Sequence, residues 1–245
     1  LLRRARDPVN GGILEISLPG LLYAFLPALI VLVIMWRWDA GAGTAVYAML
    51  RMLVQLFVIG YVLIYIFESD NYWVIAGVLT IMIVVASWIA VRPLGGTKRQ
   101  SWPNSLLAVG FTSVVILALV TQLVIGVEPW FSPRYVVPLG GMVVTGAMNA
   151  VSLAAERFQS ETARDEPVPE ARRSAFKTAL IPITNMLFAV GVVSLPGMMT
   201  GQILSGVSPL IAAKYQIIVM AMFFGTGGIA AAIFLELERR RTDGD

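Results

Sequence analysis

The sequence predicts an all-α fold, a polytopic membrane helical bundle of about seven transmembrane helices. Three observations carry that expectation. Seven apolar stretches run through the chain, each of about 20 residues, the length that crosses a bilayer. Charged residues make up 13% of the 245, where a soluble domain carries roughly 25%, and mean hydropathy is +0.79. Lys and Arg are concentrated in alternate connections between the stretches, as the positive-inside rule requires.

The first stretch, 14–36, contains Pro19 and Pro27 and closes on Trp36, with Trp38 just beyond. A charged Leu1–Arg6 segment precedes it, but the apolar run is too long for a signal-peptide core, so no cleaved leader is expected. The second stretch is 44–67. The third, 73–91, opens beside Tyr72 and Trp73; the fourth, 105–126, follows Trp102; the fifth, 135–156, follows Trp130 and Phe131. Such rings belong at the headgroup level. The sixth, 178–199, includes Pro182, and the seventh is 214–236. Prolines are tolerated in spans because neighbouring helices re-satisfy the freed backbone.

Twelve Lys and Arg fall in 37–43, 92–104, 157–177 and 237–245, against two, Arg134 and Lys214, in the alternate connections with Glu68, Asp70 and Glu128. This puts the basic segments in the cytoplasm and the N-terminus outside. Arg3, Arg4 and Arg6 oppose that side for the N-terminus.

Composition excludes several function classes. With no Cys there are no disulfides or thiolate metal sites, and with no His the commonest metal ligand and general base are gone. No Walker A loop occurs, so this chain does not hydrolyse ATP in the P-loop manner. Net charge is +3, carried by a few loops, and no nucleic-acid surface is expected. Paired carboxylates, a nucleophile motif and metal-ligand spacing are all missing at any one membrane surface, so an enzyme is not expected. No metal site is assigned: Glu15, Glu156 and Glu236 lie near span ends, and a bare divalent ion needs oxygen ligands.

Polar residues inside the spans are the candidate functional residues. Arg51 and Gln55 share a face of the second span; Arg51 either snorkels to the headgroups or faces the bundle interior or a partner chain. Asn149 lies on GGMVVTGAMNA with Thr145, Gly140, Gly141 and Gly146, where it either helps helices pack closely or lines a pathway. Asn185, Thr184 and Gln122 carry the same alternatives. Met186, Met198, Met199, Met220 and Met222 are either soft ligands or gap-fillers, and packing is favoured without His or Cys.

VSLPGMMTG (193–201) sets Pro196 beside Gly197 inside an apolar run. Pro lacks an N–H and Gly a Cβ, so the helix either ends there before an outer loop or is broken there. Freed carbonyls at membrane depth are tolerated only against protein or a water-filled cavity. The segment 194–201 is therefore expected to bend and to line the substrate path or a dimer seam. Ser194 and Thr200 would supply hydroxyls, Met198 and Met199 would flank them, and Gly201 and Gly206 would allow movement. Residues 157–177, RFQSETARDEPVPEARRSAFK, read as a charged cytoplasmic loop interrupted by Pro167 and Pro169, with a helix starting over 171–177.

The stretch VSLPGMMTGQILSGVSPLIAAKYQIIV (193–219) resembles the membrane subunit of the FetB family of ABC transporters, which includes a bacterial protein implicated in iron export and plant proteins implicated in aluminium tolerance. RMLVQLFVIGYVLIYIF (51–67), VVPLGGMVVTGAMNAVSLAAERF (136–158) and KTALIPITNMLFAVGVVSLPGMM (177–199) extend the likeness over about residues 44–236. The resemblance implies a single transmembrane permease domain over 1–245, working as a homodimer in a bacterial inner membrane. Each copy would bind an ATP-binding subunit that holds the ATP and Mg, with no cofactor on this chain. The solute would be iron or another metal-related species, held weakly or as a chelate. Residues 157–177, with Arg164, Arg172, Arg173 and Lys177, would be the ATPase contact. There the sequence departs from the family pattern: a helix with a Leu-Gly-Ala-like turn is missing between Ser160 and Glu170. Either the protein couples through a reduced loop or the sequence is a portion of a longer one, as its start at Leu1 allows. The alternative function is an ion-coupled secondary transporter, in which Arg51 and its neighbours would act without an ATPase.

Overall fold

The computed structural model describes residues 17–69 and 71–244. Arg3, Arg4, Arg6, Glu15 and the start of the first expected span lie outside the described residues, as does Asp70. Among the described residues the chain is helical, with no strand. It divides into two compact units, residues 1–68 and 69–245.

The first unit holds α1 (Leu18–Tyr23), α2 (Leu26–Arg37) and α3 (Ala42–Phe67). Pro27 stands in the first turn of α2, where its missing N–H breaks no helical bond. The α2–α3 turn is closed by the Ala40 N–H donating to the Met35 carbonyl at 2.8 Å, with Asp39 and Gly41 both at positive φ (51° and 74°). Along α3 only Ile66 is buried. Apart from Arg51 and Gln55 the helix is apolar on its faces, as expected of a span that meets lipid or neighbours.

The second unit holds α4 (Tyr72–Ala90), α5 (Lys98–Ala118), α6 (Pro133–Thr162), α7 (Val168–Ala189), α8 (Gly197–Leu204) and α9 (Pro209–Gly244). A short tight helix over Arg92–Thr97 joins α4 to α5, and α5 widens into a π-helical stretch over Leu119–Ile125. Asn71 starts α4 by accepting from the Trp73 N–H at 2.9 Å. The core is built on small residues: Ala90, Ala108, Ala147, Ala154, Ala175, Ala230 and Ala231 are buried around Phe158, Phe234 and Leu235. Small side chains let backbones approach in a bilayer, where no hydrophobic force drives helices together. At Gly140 a Cβ would come within 2.5 Å of Leu79 Cδ2, and at Gly146 within 3.0 Å of Phe223. Both glycines are packing positions.

Among the described residues six helical stretches are long and apolar enough to cross a membrane: Pro19–Arg37, Ala42–Phe67, Tyr72–Ala90, Arg92–Ile125, Pro133–Thr162 and Pro209–Arg241. The expected sixth span, 178–199, is not among them. Its helix begins early, at Val168, and stops at Ala189. Its N-terminal half is charged, and only 178–189 is apolar.

The expected 157–177 loop is mostly helix. α6 runs through Thr162 and α7 starts at Val168, leaving 163–167 as the connection. The turn is closed by the Glu166 N–H donating to the Glu161 carbonyl at 3.3 Å, with Asp165 at φ 59°. Pro167 and Pro169 start α7 instead of interrupting a loop, because proline is tolerated where a first-turn N–H has no intrahelical partner.

Candidate functional site

Three regions of the second unit bear on function. The first is the break between α7 and α8. α7 ends where Val190 turns extended (ψ 130°) and Gly191 adopts φ +84°, a left-handed conformation suited to glycine. The Val193 N–H donates back to the Ala189 carbonyl at 2.8 Å and the Gly191 N–H to the Ser194 carbonyl at 2.9 Å, folding 190–194 into a compact knuckle. Val192 and Val193 on its tip are 89% and 80% exposed, so no described residue covers it. The helix thus breaks at Val190–Gly191, several residues before the expected position. Pro196 caps the N-terminus of α8 and Gly197 is its first residue, so this pair restarts a helix. The Thr200 hydroxyl donates to the Pro196 carbonyl at 3.1 Å and the Ser205 hydroxyl to Gly201 at 2.8 Å. These hydroxyls serve their own backbone.

Beneath the break lies a cavity of about 440 Å³. Leu187, Val190 and Gly191 from the end of α7, Met199 from α8, and Gln216 and Met220 from α9 line it. Of the residues singled out in 194–201, only Met199 reaches it; Ser194, Met198 and Gly201 do not. Met199 and Met220 share this cavity, while Met222 is buried in packing and Met186 is exposed, so among the described residues the five methionines do not form one cluster.

The second region is a polar stripe on α6. Thr145, Asn149 and Glu156 are exposed and Ser152 is half-buried, at steps of four, three and four residues along one face. No side-chain hydrogen bond joins Thr145, Asn149 or Glu156 to another described residue. Among the described residues Asn149 is thus exposed and without a side-chain partner, whereas Gly140 and Gly146 pack closely. Asn185 on α7 is also exposed, and Thr184 half-buried. In the first unit, Arg51 and Gln55 are exposed on α3 without a partner among the described residues.

The third region is the basic end. Here the α4–α5 turn, α6, α7 and α9 are cross-linked by polar side chains. Glu238 on α9 is 3% exposed and accepts from Ser101 Oγ at 3.1 Å, Asn104 Nδ2 at 2.9 Å and Arg241 Nη2 at 2.8 Å. Glu236 pairs with Arg172 of α7 at 2.9 Å and with Arg239 and Arg240 at 2.7 and 3.2 Å. Arg157 pairs with Glu161, which also accepts from Ser174 Oγ at 3.1 Å. Gln159 Nε2 donates to Thr97 Oγ1 at 3.0 Å. Lys98 sits 5.5 Å over the Trp88 ring, which meets Trp102 edge-on at 6.0 Å. At the opposite end Tyr72, Trp130 and Phe131 cluster with centroids 5.6–6.4 Å apart. Two aromatic belts thus bound the second unit, with the basic residues gathered at one of them.

Of the four residues expected at an ATPase contact, Arg172 is held by Glu236, while Arg164, Arg173 and Lys177 are exposed. Sequence reasoning missed Glu238, Ser101 and Asn104. Their only signal is a polar residue at each of two helix ends, which usually means a solvated cap. Among the described residues no group of three or more Asp and Glu stands together as a metal cage.

The profile of the uncharacterised protein family UPF0014 matches residues 18–168 and 162–242. A UPF0014 membrane protein of Synechocystis sp. is 32% identical over 226 residues, covering 86% of this chain and 87% of that protein. The protein ALUMINUM SENSITIVE 3 of Arabidopsis thaliana is 32% identical over 77% of this chain and 73% of its own length. The probable iron export permease protein FetB of Escherichia coli is 30% identical over 78% of each. No solved structure matches. With spans, belts and basic end in place, the chain is an integral membrane protein that belongs to the UPF0014 family.

Proposed function

We propose that this chain is the membrane-spanning permease of an ATP-driven transporter, moving iron or another metal-related small solute outward across a bacterial inner membrane. Two copies work together, each bound at its basic end to an ATP-binding subunit that holds ATP and Mg. The observation that carries the reading is the braced basic end, in a chain similar to a protein named as a probable iron export permease. The ion pairs and hydrogen bonds there tie α5, α6, α7 and α9 into one block, with Arg164, Arg173 and Lys177 left outward for a soluble partner. Closure of the ATPases on ATP would displace that block as a rigid part. The compliant element is the 190–196 knuckle, which has lost the helical ladder. The α6 stripe supports the same reading: an Asn and a Glu on a span face need water or a second copy, since lipid offers no hydrogen bond.

The test is purification of the chain with its ATP-binding subunit, followed by hydrolysis assays in liposomes with ferric and ferrous salts and chelates. The expected result is a stable complex whose hydrolysis rises with one of these solutes. Transport by the chain alone, driven by an ion gradient without nucleotide, would replace this reading with the secondary transporter.

A further inference from the structure

The cavity under the α7–α8 break has a wall of unusual chemistry. Leu187, Val190, Met199 and Met220 make it apolar, and among the described residues Gln216 is the one polar side chain in the lining. Gln216 is 5% exposed, and its Oε1 has no hydrogen-bond partner among the described residues. An amide oxygen left unpaired in an apolar wall is costly, and a Leu or Met of similar size would avoid the cost. At about 440 Å³ the cavity falls within the range of small-molecule sites, which pair an apolar wall with a few placed polar groups. The terminal torsion of glutamine is broad, so the amide can turn to offer its oxygen inward.

We infer that this cavity binds a neutral, mainly apolar molecule bearing a hydroxyl, with the hydroxyl donating to Gln216 Oε1 and the apolar body against Met199 and Met220. A hard cation is a poor fit, because it needs about six oxygen ligands and the side chains here offer one. A bare alkyl chain is also a poor fit, since it leaves the amide unpaired. The two thioether side chains adapt to varied apolar shapes. Residues from the end of α7, from α8 and from α9 all reach the cavity, so an occupant bridges both sides of the break. That occupancy is coupled to ATP hydrolysis rests on the permease reading; that the cavity binds a hydroxylated apolar molecule does not. The same chemistry is available from a hydroxylated lipid of the bilayer.

The test is photolabelling of the full chain with its ATP-binding subunit in nanodiscs. The probes are a medium-chain alcohol carrying a diazirine, and the O-methyl ether of the same molecule, which keeps the apolar body and loses the donor. The alcohol should label 187–199 and 213–221, competed by excess unlabelled alcohol, and the ether should label there roughly five- to tenfold less. Gln216→Leu should bring the alcohol down to the ether level, and Ala213→Phe, which narrows the cavity, should lower both. Equal labelling of the wild type by alcohol and ether, or none in these segments, would overturn the inference, and this comparison needs no variant. Displacement by diacylglycerol, a neutral lipid with one hydroxyl, would support the site and assign its occupant to the bilayer. Stimulation of ATPase by the parent alcohol, lost in Gln216→Leu, would support it and show that occupancy of the cavity is coupled to the ATP-binding subunit. Selective labelling in a chain that binds no ATPase would leave the site standing and overturn the permease reading alone.

Discussion

The span-length stretches of the two units reach similar hydropathy and differ in packing. In the first, α2 has no buried residue and α3 has one, Ile66. In the second, α6 alone buries Val136, Val143, Ala147, Val151, Ala154, Phe158 and others, and small residues recur along α4, α5, α7 and α9. Hydropathy therefore says which helices enter the bilayer and nothing about which make a core. What separates the two is side-chain size and placed polarity. Leu, Ile and Val coat α2 and α3, whereas Ala, Gly and Ser at the interfaces of the second unit let its helices meet.

The largest test of that contrast is a matched pair of glycine substitutions. Gly140→Leu forces new atoms into Leu79, with Leu117 only 3.4 Å away on the other side, and should cost about 3 kcal/mol or prevent folding. Gly60→Leu on α3 meets nothing within 4 Å and should stay within about 0.5 kcal/mol. Unfolding in bicelles measures both, and equal costs would erase the distinction between the units.

Next in size is Glu238→Ala. It leaves Ser101 and Asn104 without their acceptor in a buried site and should cost about 2–3 kcal/mol, read by the same unfolding. Gly191→Ala should cost about 1 kcal/mol, because alanine is strained at φ +84°. Hydrogen exchange should show that loss confined to the residues around the knuckle, with the basic end unchanged.

The smallest effects on stability belong to the exposed polar residues. Asn149→Leu and Arg51→Leu should each change unfolding by less than about 0.5 kcal/mol. They should part in function. Asn149→Leu should abolish solute-stimulated ATPase, because it interrupts the α6 stripe. Arg51→Leu should leave it near wild type if the charge snorkels, and a large loss would place Arg51 at a working interface.

Much of the fold was legible in the sequence. Apolar length located the six span-length stretches, and the Lys and Arg bias located the basic end that the structure assembles. The sixth span was misjudged because a hydropathy window averages over 178–199 and cannot see that Gly191 adopts a left-handed turn after Ala189. Pro196 drew attention to the right segment and the wrong bond, since a proline that starts a helix and one that ends a helix look alike in one sequence. The 163–167 hairpin was hidden by its charges, which read as a solvated loop although the flanking residues favour helix. Glu238 was illegible for a similar reason: four acidic and basic residues in a row at a helix end give no sign of which is buried.

The central claim is that the basic end moves as one block and the 190–196 knuckle yields. The chain contains no cysteine, so spin-label pairs can be placed without background. Electron-electron distances should be measured in the nanodisc complex with its ATP-binding subunit, nucleotide-free and trapped with ATP, for Arg173→Cys with Val193→Cys and for Arg99→Cys with Arg164→Cys. The account predicts that the first distribution shifts on trapping while the second, within the braced end, stays fixed. A fixed first pair, or a second pair that moves as much as the first, would contradict it.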